Sequence, residues 1–197
     1  MAQKKLTDVV WESLNGREPE TEDSVFKEVI SWLCIISVAV LLAFLLNNFV
    51  IVNAKVTSGS MESTIMTGDR VLGLRASYWF DQPQFGDVVF FRYPDDERKI
   101  YVKRVIGVPG DTIEIKGGIV YRNGQQLDEP YLNETPQAQD YGPYQVPDNS
   151  YFMLGDNRNN SLDSRYWEHT FVSRGEILGK AYYIYYPRFQ SIRRSSL

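Results

Sequence analysis

The sequence predicts a mainly β chain: an antiparallel β-sheet domain behind one N-terminal transmembrane α-helix. Three observations carry that expectation. Residues 29–54 contain no charged side chain. From Lys55 onward, short runs rich in β-branched and aromatic residues alternate with Gly, Pro, Asn and Asp turns. No amphipathic helical segment separates those runs, which is the pattern of an all-β domain rather than of parallel α/β layers.

The elements follow in chain order. Residues 1–28 form a polar tail with four basic and seven acidic side chains. Lys and Arg are too evenly spread across the two flanks of the apolar stretch for their count to fix its orientation. The stretch 29–54 is read as the membrane anchor, because a helix rising about 1.5 Å per residue crosses a hydrocarbon core about 30 Å thick within that length. It is too long, and too far from the N-terminus, for a cleaved signal peptide, although Val52-Asn53-Ala54 offers small residues at its end. The 197-residue chain leaves 55–197 for one compact domain. Strands are expected at 70–74, 87–92, 100–105, 112–115, 119–122, 151–154 and 179–186, with a hairpin at Lys116-Gly117-Gly118 and a tight turn at 122–125. Residues 125–148 have little periodicity and are read as a long surface excursion. The strand containing Tyr182 to Tyr186 is expected near the lipid surface, where tyrosines are favoured.

Composition excludes several classes. A net charge of −4 lacks the basic excess of a nucleic-acid binder. One cysteine, Cys34, permits no intrachain disulfide. With a single histidine, His169, it also leaves no credible zinc site. No metal or organic cofactor is expected.

Three segments carry chemistry. Ser60, in Ser58-Gly59-Ser60-Met61, has the small neighbours that leave a nucleophile unhindered, and Gly59 allows a sharp turn. A serine needs a base. Lys103 becomes one when burial among apolar groups lowers its pKa. In a strand Lys103 and Arg104 point to opposite faces, so one is expected inward and the other outward. The Ser60 N–H and the Ser58 hydroxyl are placed to meet a developing oxyanion. The third segment, 155–165, concentrates Asp156, Arg158, Asp163 and Arg165 as ion-pair candidates, with Ser161 as a hydroxyl able to orient the lysine amine.

In this order, Ser58-Gly59-Ser60-Met61, Gly86-Asp87-Val88-Val89, the run from Lys103 to Asp111, and Gly155-Asp156-Asn157-Arg158 through Arg165 resemble the type I signal peptidases. The resemblance runs from the anchor almost to the C-terminus. It implies an antiparallel β catalytic domain, Ser60 as nucleophile and Lys103 as general base. It further implies Ser58 in the oxyanion hole, Ser161 holding the lysine, Asp163 and Arg165 as a structural ion pair, and Asp156 in support. Val56, Met61, Ile65 and Val102 become candidates to line small pockets for an Ala-X-Ala substrate. Exported preproteins, the lipid bilayer and the translocation machinery are the implied partners. Cleavage after translocation places 55–197 on the extracytoplasmic face of a bacterial plasma or thylakoid membrane and the 1–28 tail in the cytoplasm. Two positions depart from the family pattern: Ser63 stands where proline is common, implying a less rigid loop, and Asn159 where aspartate is common.

Three other readings compete with this one. A self-cleaving repressor would share the dyad but carry a DNA-binding segment in place of an anchor. A non-catalytic membrane-bound β module would have no use for Ser60, Lys103 and Ser161 together. A serine–histidine variant would enlist His169, which sits in what reads as ordinary connecting structure.

Overall fold

The structure is a computed structural model that describes residues 22–194; most of the 1–28 tail therefore lies outside the described residues. It divides into two units, one ending at Leu45 and the other beginning at Leu46. The first contains helix α1, Glu22–Leu45. Its side chains from Val25 onward are exposed on every face, an arrangement stable for a helix only in an apolar medium or a larger core. Val25–Val50 is long and apolar enough to cross a membrane.

The apolar run read as one anchor divides in the structure. A π-helical turn, Leu46–Val50, follows α1. Residues 51–54 belong instead to strand β1, Ile51–Lys55. The polar Asn47-Asn48 pair interrupts the apolar helix there. The β-branched Ile51-Val52 pair that follows is better placed in a sheet, where Val52 is buried and Asn53 exposed.

The second unit consists of two antiparallel sheets. The larger contains β1, β2 (Arg70–Leu74), β3 (Val88–Tyr93), β4 (Asp96–Gly107), β9 (Ser150–Leu154), β10 (Val172–Ser173), β11 (Ile177–Tyr186) and β12 (Gln190–Ser191). Its spatial order is β1-β2-β11-β3-β4-β9-β10, with β12 on β11. The smaller contains β5 (Thr112–Lys116), β6 (Ile119–Arg122), β7 (Gln125–Gln126) and β8 (Tyr141–Gln145), ordered β7-β6-β5-β8. All seven expected strands are present. The two tight turns, Gly117-Gly118 and Asn123-Gly124, have positive φ at both central residues, as two-residue hairpins with type I′ twist require. Strand β8 escaped the sequence reading because Gly142 and Pro143 interrupt it. It is tolerated as the outermost strand of its sheet, where a missing N–H breaks no shared ladder.

Apolar clusters fill both layers. Val52, Val56, Met61, Ile65, Val71 and Phe90 belong to one of them. Ile106, Ile113, Phe152 and Leu154 belong to another, which joins residues of the two sheets. Gly73, facing Val52 of β1 and Ala181 of β11, sits where the first cluster leaves no room. A Cβ there would lie 2.6 Å from the Lys180 carbonyl oxygen and 2.7 Å from the Phe90 ring. Gly73→Ala is therefore expected to destabilise the domain by about 1–3 kcal/mol, read from denaturant unfolding of the detergent-solubilised protein.

Candidate active site

The ladder between β1 and β2 runs one residue past β1, as Val56 donates to Asp69 O at 2.9 Å and accepts from Gly68 N–H at 2.8 Å. The chain then turns, with Glu62 N–H donating to Gly59 O and Ile65 N–H to Met61 O. Met61 and Ile65 have no exposed surface. Their burial pins the turn from below and holds Ser60, itself 6% exposed, one residue ahead of the plug. The loop after β9 grips the turn from the side: Asn157 donates its backbone N–H to Ser60 O at 3.1 Å and its side-chain amide to Gly59 O at 3.0 Å. With both carbonyls held, the Ser60 N–H points free, without a partner among the described residues. Ser58 Oγ lies 3.4 Å from Ser60 Oγ.

Lys103 reaches this point from β4, where it pairs with Val89. Its ammonium donates to Ser60 Oγ, and no carboxylate pairs with it among the described residues. Burial pushes the Lys103 pKa down to about 8. Asp163 and Asp156 pull it upward at longer range, and Arg165 assists the lowering. The expectation that one of Lys103 and Arg104 faces outward is corrected, since both are buried. Arg104 occupies the opposite face, where Nε and Nη2 grip Asp156 at 2.8 and 2.6 Å and Nη1 donates to Gly86 O. The Tyr131 ring stacks 4.1 Å from its guanidinium carbon. Two cations in succession are buried because the chain covers both sides of β4 here, and only one of the two has an anion.

The loop 155–165 divides its ions in a way its sequence did not disclose. Asp163 takes Arg165 in a bidentate pair at 2.8 and 2.9 Å and accepts the Gly155 N–H. Arg158, by contrast, pairs with Glu129 at 2.8 and 2.5 Å. Asp156 takes Arg104 and the Thr64 hydroxyl. Glu129 and Arg104 are the residues that sequence reasoning missed. Arg104 carried a signal in its place beside Lys103, whereas Glu129 carried none. Ser161 is brought to the site, yet its hydroxyl is buried without a hydrogen-bond partner and is not bonded to Lys103. Gly155 makes this close approach possible, since a Cβ on it would collide with Ser161 Oγ and with the Ser60 carbonyl oxygen.

Above Ser60 and Lys103 opens a cavity of about 560 Å³. Val56, Phe90 and Val102 belong to its wall, while Lys55, Ile100, Asn160 and Leu162 are exposed lining residues. Of the four residues expected to line it, Val56 and Val102 do so. Met61 and Ile65 lie in the core cluster that also contains Val56. A larger cavity, about 910 Å³, contains none of these residues. His169 is exposed, with Nδ1 2.8 Å from Asp95 Oδ1, and does not line the cleft. Among the described residues no group of His, Cys, Asp and Glu is arranged for a metal ion.

The two departures from the family pattern have local explanations. Ser63 adopts φ +93°, which proline, fixed near −65°, does not reach. Its loop is nevertheless anchored, because Ser63 Oγ donates to Tyr131 O at 2.6 Å and Thr64 to Asp156 at 2.5 Å. The Asn159 amide donates to Thr135 O and accepts from Gln137 N–H; an aspartate would lose the first bond.

Comparison with known proteins shows the family. Residues 29–186 match the family described as signal peptidase, peptidase S26. A protein of Synechocystis named "Probable signal peptidase I-2" is 43% identical over 155 residues, covering 76% of this chain and 69% of its own. Signal peptidase I of Leptolyngbya laminosa is 39% identical, covering 77% of each chain. Signal peptidase I S of Bacillus subtilis is 36% identical, over 86% of this chain and 95% of its own. The chain belongs to the signal peptidase family, peptidase S26.

Proposed function

We propose that this chain is a membrane-anchored serine endopeptidase that removes signal peptides from exported preproteins after Ala-X-Ala, using Ser60 and Lys103. The observation that carries the reading is a buried lysine whose bonded partner is a serine hydroxyl at the floor of an open cleft.

Neutral Lys103 takes the Ser60 proton as Oγ bonds to the scissile carbonyl carbon. The oxyanion that forms is met by the Ser60 N–H and the Ser58 hydroxyl. Collapse breaks the C–N bond while Lys103 gives its proton to the leaving amine. Lys103 then takes a proton from water, which attacks the acyl-serine, and returns it to Ser60 Oγ. Asp163–Arg165 and Asp156–Arg104 hold the surrounding loops. Ser161, unbonded at rest, has a hydroxyl available to the lysine amine as it turns.

The cleft offers two strand edges. Among the described residues strand β1 pairs only with β2, and β9 pairs with Arg104–Gly107 of β4 and leaves residues 100–103 open. An extended peptide laid between them gains backbone hydrogen bonds, the recognition mode of strand addition. Val56 and Val102 then leave room for small side chains on its inward positions. Preproteins and the bilayer are the partners on this reading, with the translocation machinery as their source. The domain from residue 55 lies outside a bacterial plasma or thylakoid membrane, with the 1–28 tail in the cytoplasm.

Cleavage of an Ala-X-Ala peptide by the detergent-solubilised protein is expected to fall about a thousandfold or more in both Ser60→Ala and Lys103→Ala. Full activity in folded Lys103→Ala would reject the lysine mechanism. Because the neutral amine is the active form, kcat/KM should climb about tenfold per pH unit on the acid side and level off above the Lys103 pKa of about 8.

The same burial has a thermodynamic consequence. The fold lowers the Lys103 pKa from 10.5 to about 8. Between those values the unfolded chain binds more protons, so stability rises with pH through that window. Below it the cost of burying the ammonium is felt in full. Lys103→Met is expected to melt at a higher temperature than wild type at pH 7, with the advantage shrinking as the pH approaches 10. Thermal unfolding across pH measures this.

A further inference from the structure

The cleft contains two charged side chains, and both are cationic. Lys103 lies at its floor, committed to Ser60. Lys55 lies exposed at its edge, and its ammonium makes no ion pair or hydrogen bond among the described residues. Directly across the β1–β2 ladder from Lys55 is Arg70, also exposed and positioned over the Tyr186 ring. Two like charges opposite one another in a sheet repel, and the nearby acids do not relieve them. Asp69 is taken by Arg188. Glu62 accepts the Thr67 hydroxyl and does not line the cleft. The open edge of β1 therefore carries a lysine that no carboxylate pairs with among the described residues, and with it a local positive field.

Side-chain alternation determines what meets that field. Val56 is buried and Ala54 half-buried, whereas Lys55 and Thr57 between and beyond them are exposed. A substrate strand beside this edge alternates in the same way. The two small residues of Ala-X-Ala turn inward, and X turns to the face of the sheet that Lys55 occupies. Resting on the peptidase reading above, we infer that Lys55 is a specificity residue that favours an acidic side chain at X and disfavours a basic one. Arg70, one strand further from the substrate, adds to the same field.

The test uses the full chain in detergent and three peptides that differ only at X, as Glu, Gln or Lys. Cross-strand charge pairs of this kind are worth enough for a preference of roughly two- to fivefold in kcat/KM for Glu over Gln, with Lys below Gln. The order should invert in Lys55→Glu, flatten in Lys55→Gln, and fade in about 1 M salt, where screening acts over about 3 Å. Cleavage of the Gln peptide reports that each variant is folded and active. If wild type and Lys55→Glu rank the three peptides alike, Lys55 does not read X and the inference is overturned. If wild type cuts none of them, or Ser60→Ala cuts them equally well, the peptidase reading fails and this inference falls with it.

Discussion

Much of this site is arranged around the cost of burying a lysine ammonium without an anion. A buried cation that keeps its charge ordinarily has a carboxylate against it, as Arg104 has Asp156. Lys103 has a hydroxyl, so burial outweighs the distant acids and the amine loses its proton more readily than a free lysine. The acids near the site are kept from neutralising that effect by being spoken for. Asp163 is engaged by Arg165 and Asp156 by Arg104. The arginines thus keep carboxylates close enough to organise the loops while offering the lysine no salt-bridge partner.

This division of labour explains why the site is assembled from segments far apart in sequence. The loop that carries Ser60 cannot hold itself, since a Ser-Gly-Ser run has little intrinsic preference for one shape. Its order comes from Met61 and Ile65 below and Asn157 beside it. The loop that supplies Asn157 is held in turn by Glu129 through Arg158 and by Gly155 packed against Ser161. Rigidity flows inward from the core and from the smaller sheet's connection toward a few atoms around Ser60.

Most of the fold was readable in the sequence because its signals are local. A Gly-Gly and an Asn-Gly pair dictated two tight turns, alternating apolar runs dictated seven strands, and an uncharged stretch dictated the helix. The reading erred where two local signals met, at 51–54, since apolarity alone does not distinguish the end of a membrane helix from the start of a buried strand. At the site, residue types singled out Ser60 and Lys103 as candidates, and the family resemblance added the Asp163–Arg165 pair; the structure brings each pair into contact. Partners distant in sequence were not readable: Arg104 with Asp156, and Arg158 with Glu129 across 29 positions. The placement of Met61 and Ile65 below the cleft likewise depends on how the turn is seated, which spacing does not encode.

The connection between β7 and β8 has the look of a surface loop, rich in Asp, Glu, Gln and Pro. It is tied to the active-site segments through Glu129, Tyr131, Thr135 and Gln137, and its Pro136 and Gln137 carbonyls crowd Gly118 of the β5–β6 hairpin. For an engineer, these fastenings reverse the usual expectation about where a chain tolerates added length. A tag or reporter domain inserted between 129 and 137 would pull on the residues that fix Ser60. The chain is more safely lengthened just after Gly124, which has open space around it and lies past the Asn123 bonds to Thr112 and Asp111.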